Sequence, residues 1–347
     1  MLEIFTTYQV QVFATTVTKG NGSNVVNVTT DEDRPGSPGD LFVNEVNSTA
    51  IVITWDQPDV TNGIITSYEI LYSVGNVKTV SDNDTSVLVY ATTNTSYGRV
   101  IGGLGPFTMY TVVVRAYTHI EAGELTDTFS ILTDPDSSSP PVNFMIVVLN
   151  STAVQLSWQY PMTLNGEIRG YSILDSTPPN IEMVIMNITL DMVDDTSNQT
   201  AIIAELTPFT YYGFCIRAFS FGDQNERPNF VHIGIATDEI HVRTDEDVPD
   251  APRNFSAVTM YSTSVQLSWV VPDPTNGILL SYTVVYSNST NTLMMVYDNS
   301  TFMDKITDLN EDTDYDFVIY GNTSAGAGPN ATDLVRTFED CKCISNN

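Results

Sequence analysis

The chain has 347 residues, and its 13 Lys and Arg face 42 Asp and Glu for a net charge of −29. A surface this negative repels phosphate backbones and anionic lipid headgroups, which argues against nucleic acid and membrane surfaces as partners. With 42% hydrophobic and only 16% charged residues the chain is too apolar to stay disordered, and no apolar run approaches the ~20 residues that a membrane-spanning helix needs.

Residues Met1 to Ile4 lack the charged start and apolar core of a signal peptide. Tyr8-x-Val10-x-Val12-x-Ala14 then alternates as a strand, with Leu2 six residues ahead of the Tyr, and Asn24–Thr29 reads as a second strand. An acidic, Pro-bearing stretch follows, Thr30 to Pro35. Beyond it Ile51-x-Ile53-x-Trp55 alternates apolar and polar positions, which puts the three side chains on one face. Asn62-Gly63 comes next, a dipeptide suited to a tight turn because both residues tolerate φ > 0. Tyr68 opens another strand, and Leu104 precedes Tyr110-x-Val112-x-Val114-x-Ala116.

After a second linker, Thr133 to Pro141, the series returns: Val154-x-Leu156-x-Trp158, Asn165-Gly166, Tyr171, then Leu206 before Tyr212-x-Phe214-x-Ile216-x-Ala218. It returns again after Thr244 to Pro249, as Val265-x-Leu267-x-Trp269, Asn276-Gly277, Tyr282, and Leu309 before Tyr315-x-Phe317-x-Ile319-x-Gly321. The tyrosines Tyr8, Tyr110, Tyr212 and Tyr315 stand 102, 102 and 103 residues apart. A period of ~100 residues is that of a whole β-sandwich domain.

These residues resemble the fibronectin type III domain: Trp closing the second strand, Asn-Gly and Tyr at the third, and Leu-x5-Tyr with alternating apolar positions at the sixth. The resemblance implies an all-β fold of tandem immunoglobulin-like β-sandwiches with fibronectin type III topology, seven strands each. Trp55, Trp158 and Trp269 would sit in the cores. Tyr110, Tyr212 and Tyr315 would be tyrosine corners, each hydroxyl bonded to backbone upstream. The facing Cys pair of an immunoglobulin domain is absent. The expected units are 37–134, 140–244 and 250–338, with 339–347 as a tail. Residues 1–33 carry only the sixth-strand signature and a seventh strand, so they read as the C-terminal part of a truncated unit, and the chain as a fragment of a longer one.

The chemistry is sparse. His119, His232 and His241 are the only histidines, and no zinc-type spacing, phosphate-cradling Gly-rich loop or Gly-x-Ser-x-Gly elbow occurs. No catalytic residue, cofactor or metal ligand is expected. The clusters Asp31, Glu32, Asp33 and Asp245, Glu246, Asp247 read as solvated hydrophilic junctions, with calcium binding as the sharper alternative. Cys215 alternates with inward residues and should lie on the outer face as a partly covered small hydrophobe. Cys341 and Cys343 are too close in sequence to bridge each other readily, and their partners are expected further downstream.

Asn-x-Ser/Thr sequons start at Asn21, Asn27, Asn47, Asn83, Asn94, Asn150, Asn187, Asn198, Asn254, Asn288, Asn299, Asn322 and Asn330. They are about twice as frequent as composition alone predicts, and they are expected mostly in turns; both features favour N-glycosylation and a secretory route. The family resemblance then implies a non-catalytic, extracellular or cell-surface adhesion or ligand-binding segment with protein partners. The alternative is the ectodomain portion of an enzyme-linked receptor, a tyrosine phosphatase or kinase. Arg-Gly-Asp and Trp-Ser-x-Trp-Ser are both absent, which disfavours integrin-ligand and cytokine-receptor roles.

Overall fold

The computed structural model describes residues 1–75, 85–177, 183–189, 198–221 and 231–340. The described residues contain strands and no helix. In the third unit Arg253–Tyr261, Ser264–Val270 and Met303–Ile306 form a three-stranded sheet. It faces a second sheet in which Thr292–Asp298, Ser281–Ser287 and Asp314–Thr323 are neighbours and Ala331–Arg336 closes the edge. All the pairings are antiparallel. The same two-sheet arrangement recurs in the first unit, from Gly39–Val46 to Phe129–Leu132, and in the second, from Val142–Asn150 to Ile240–Arg243.

Alternation builds each core. Ile51, Ile53 and Trp55 point inward from Ala50–Asp56, and Val154, Leu156 and Trp158 do so from Ala153–Gln159. The three Trp are 1%, 1% and 3% exposed. Each meets the Tyr of the next strand edge-to-face: Trp55–Tyr68, Trp158–Tyr171 and Trp269–Tyr282, with centroids 5.6, 5.3 and 5.6 Å apart. That geometry suits the ring quadrupoles.

The last strand departs from a single run in every unit; in the third, Gly326–Ala327 and Ala331–Arg336 both pair with Asp314–Thr323. In the first, Ala122–Leu125 and Phe129–Leu132 both pair with Met109–Tyr117. Between them the Thr126 hydroxyl accepts from the Val114 amide at 3.0 Å while the Thr126 amide donates to the Val114 carbonyl at 2.9 Å. A side chain thus replaces one ladder bond, and the strand bends there. Thr237 does the same to Ile216, at 3.1 and 2.9 Å.

Residues 1–33 form two small antiparallel pairs, Thr7–Val10 with Val26–Thr29 and Phe13–Thr15 with Lys19–Gly22. Val10, Val26 and Val28 are 48%, 56% and 50% exposed, whereas Val112 and Val114 of the first unit are 0%. Among the described residues no second sheet covers this pair.

Candidate functional site at the inter-domain junctions

The tyrosine hydroxyls of the sixth strands accept from the backbone amide five residues upstream. Glu3, Gly105, Thr207 and Asn310 donate to Tyr8, Tyr110, Tyr212 and Tyr315 at 2.6, 2.8, 2.8 and 2.9 Å. A threonine that the sequence reading did not single out completes each corner. Thr133 donates to the Gly105 carbonyl at 2.7 Å and accepts from the Thr108 amide at 2.9 Å. Thr30, Thr244 and Thr337 repeat both bonds. Each of these threonines is the last residue before a linker or tail, so the corner fixes the point at which the chain leaves its sandwich.

One residue later the linker is held again. The carbonyls of Asp31, Asp134 and Asp245 accept from the amides of Phe5, Phe107 and Phe209 at 3.2, 3.1 and 3.0 Å. Those phenylalanines have φ of 45°, 44° and 50°, a left-handed conformation that turns the amide toward the linker.

The linkers then engage the following unit. The amides of Asp33, Asp136 and Asp247 donate to the carbonyls of Asn62, Asn165 and Asn276 at 2.9, 2.8 and 2.8 Å. The same asparagines return a side-chain bond to the carbonyls of Arg34, Ser137 and Val248, at 2.8, 2.8 and 2.9 Å. The expectation of a tight turn with two left-handed residues is corrected here. Only the Asn of each pair has positive φ, at 47°, 50° and 52°. The Gly is required by close approach: a Cβ on Gly63, Gly166 or Gly277 would lie 2.9, 3.0 or 3.0 Å from Glu32, Pro135 or Glu246.

Within the acidic clusters Asp31, Asp33 and Asp245 are exposed, as a solvated junction implies, but the two glutamates are hydrogen-bonded to the following unit. Glu32 accepts from the amides of Ile64 and His119 at 3.0 and 3.3 Å. Glu246 accepts from the amides of Ile278 and Ser324 at 3.2 and 3.3 Å, and from the Ser324 hydroxyl at 2.5 Å. The Ser324 hydroxyl bond, with the two amides behind it, holds the Glu246 carboxyl below its usual range. Asp136 and Asp247 also reach back, accepting from the Ser48 and Ser151 hydroxyls of the preceding unit at 3.3 and 2.8 Å. Among the described residues no three metal-ligating side chains converge.

The other singled-out residues lie apart. His241 stands 3.6 Å from Glu239, with side chains 61% and 35% exposed, while His119 lies in the bend after Met109–Tyr117 and His232 in Val231–Ile233. Cys215 lies opposite Leu174 and is 3% exposed, more deeply covered than a partly covered outer-face residue. Cys341, Cys343 and Asn83 fall outside the described residues. Six of the other sequon asparagines (Asn21, Asn27, Asn150, Asn187, Asn254 and Asn322) lie within strands, so the expectation of turns holds only for Asn47, Asn94, Asn198, Asn288, Asn299 and Asn330.

Repeated sandwiches joined by hydrogen-bonded linkers define a tandem modular protein. The family model for the fibronectin type III domain matches residues 36–131, 139–231 and 250–337, and the chain belongs to that family. It is 30% identical over 346 residues to human phosphatidylinositol phosphatase PTPRQ, covering 96% of this chain and 13% of that protein. It is 27% identical to the Drosophila melanogaster cell adhesion molecule Dscam1, over 96% of this chain and 16% of the relative. The Drosophila tyrosine-protein phosphatase Lar gives 27%, over 98% and 16%. Among solved structures, the crystal structure of chicken CNTN1 FN1-FN3 domains aligns with 88% of this chain at 17% identity and a TM-score of 0.34. The chain therefore spans about a seventh of the length of these curated relatives.

Proposed function

We propose that the chain is part of the outward-facing region of a larger cell-surface protein, where it acts as a non-catalytic, protein-binding spacer of fixed geometry. The observation that carries this reading is the linker. From Thr244 to Val248 every residue bonds to the unit before or the unit after. Four residues, Asp245 to Val248, follow the corner threonine, and none of them is idle. Such a connection transmits orientation, which suits a module that presents a surface at a set distance. Residues 1–33, with the Tyr8 corner and bare valines, are read as the closing strands of a further sandwich.

Relatives named as an adhesion molecule and as phosphatases support the surface location. The phosphatase names also support the second reading, an enzyme-linked receptor whose catalytic part lies outside these residues. Fibronectin type III units are a non-catalytic domain type, so either reading leaves this segment without chemistry of its own.

The test is glycan mapping on protein isolated from its native cells. Asn47, Asn150, Asn254 and Asn330 are exposed and should carry glycans. Asn288, Asn299 and Asn322 are a different class, because their amide groups donate to Tyr315, Leu279 and Thr283 at 3.2, 2.8 and 3.1 Å. These should remain bare. A complete absence of N-glycans would overturn the extracellular reading.

A further inference from the structure

The sandwich edges differ between units in one respect. In each, the first and seventh strands are edge strands of opposite sheets, and their free edges face one another across an open side. The third unit closes that side with its own groups. Asp333 on the last strand accepts from the Ala257 amide at 2.8 Å, and Thr259 donates to the Arg336 carbonyl at 2.7 Å. In the first unit the register puts Val43 where Ala257 stands, opposite Ile53 as Ala257 is opposite Leu267. Phe129 stands where Asp333 does, opposite Val112 as Asp333 is opposite Phe317. A phenyl ring cannot accept the amide bond that the carboxylate takes, and a cleft of about 590 Å³ remains.

Its lining is amphipathic. Phe42, Leu125 and Phe129 supply the apolar part, and Phe42 and Leu125 are 57% and 39% exposed. Asp40, Glu124 and Asp127 supply three carboxylates, and among the described residues no Lys or Arg lines the cleft. The second unit keeps a smaller version of about 310 Å³, with Phe144, Ile240 and the single carboxylate Asp238. Edge strands with unpaired groups are templates for an added strand. Carboxylates without a local cation favour a positively charged occupant.

We propose that the cleft between the first and seventh strands of the first unit is a docking site for an extended, basic segment of a partner protein, adding as a strand with alternate apolar and Lys or Arg side chains. A second copy of this chain is a poor occupant: at −29 net charge it would bring mostly carboxylates to a rim of carboxylates. The proposal deepens the protein-binding reading and is independent of the extracellular one, since a peptide titration gives the same answer whether or not glycans are found.

The probe is a synthetic peptide of alternating Val and Lys, matched to the eight residues of Gly39–Val46 and titrated into the full chain at physiological ionic strength. Amide shifts should cluster at residues 39–43 and 124–129. Affinity should fall about tenfold in the triple variant Asp40→Asn, Glu124→Gln, Asp127→Asn, as three rim ion pairs are lost. A control variant, Asp308→Asn, Glu311→Gln, Asp316→Asn, removes the same charge from exposed sites on the third unit and should bind as the unaltered chain does. A peptide with Glu in place of Lys should not bind. Equal weakening in the control variant, shifts spread over all three units, or binding of the Glu peptide would each overturn the proposal.

Discussion

Glu246 and Ser324 are 78 residues apart in sequence, yet one carboxylate oxygen of Glu246 accepts from both the hydroxyl and the amide of Ser324. With the Ile278 amide on the other oxygen, a linker side chain gathers the two loops of the third unit that flank the junction. Glu32 holds Ile64 and His119 in the same way.

The Glu246 clamp should be acid-labile. Its carboxyl is held below the usual range by the Ser324 hydroxyl, so the charged form is favoured in the folded chain. The stabilisation is present above the unfolded carboxylate value of ~4.3 and is lost as pH falls through the lower folded value. The Ser324 and Ile278 amides should therefore shift, and lose protection relative to their intrinsic exchange rates, as pH falls below the unfolded carboxylate value and through the lower folded one. In Glu246→Gln this acid step should vanish from both, which a pH series of amide spectra would read.

Gly277→Ala should cost ~1–3 kcal/mol, because the new Cβ meets Glu246 at 3.0 Å and the linker must move. Gly102→Ala has nothing within 4 Å and should be neutral or slightly stabilising, by up to ~1 kcal/mol. Denaturant melts of the two variants would separate close approach from backbone freedom.

Two buried tyrosines of the third unit should respond in opposite directions to loss of the hydroxyl. Tyr315 accepts from the Asn310 amide and from Asn288, so Tyr315→Phe should cost ~1–3 kcal/mol. The Tyr282 hydroxyl is buried with no partner among the described residues. Tyr282→Phe removes that unpaired group and should be neutral or stabilising by ~1 kcal/mol. Hydrogen exchange across Asp314–Thr323 would report both.

Thr337→Val keeps the shape of a residue that is 2% exposed and removes its hydroxyl. The Thr313 amide and Asn310 carbonyl lose their partner, at a cost of ~1–3 kcal/mol for each group left buried. The same exchange measurement should show loosening at the corner while the Trp269 core stays protected.

The three cores were legible because their evidence is local. Trp55, Trp158 and Trp269 close alternating runs, and Tyr110, Tyr212 and Tyr315 sit at near-constant spacing. The corner threonines stand 22, 23, 32 and 22 residues after Tyr8, Tyr110, Tyr212 and Tyr315, so only Thr244 departs from a near-constant spacing. With their place before each linker or tail, that signal was legible and was passed over because a lone Thr in a Thr-rich chain does not stand out. The Asn-Gly pairs were visible as motifs, but the glycine answers to a linker residue about 30 positions away, which no short-range turn rule contains. The clamp of Glu246 was hidden for the same reason: a run of carboxylates looks solvated until the folded loops bring donors to it. Cys215 was placed on the outer face by alternation, which says nothing of how much covers that face.

Residual dipolar couplings on the full chain test the fixed junction most directly. If the Thr244–Val248 linker holds as its hydrogen bonds indicate, the strands of the second and third units share one alignment tensor at pH 7 and separate in Glu246→Ala. Two unrelated tensors in the unaltered chain would contradict a spacer of fixed geometry.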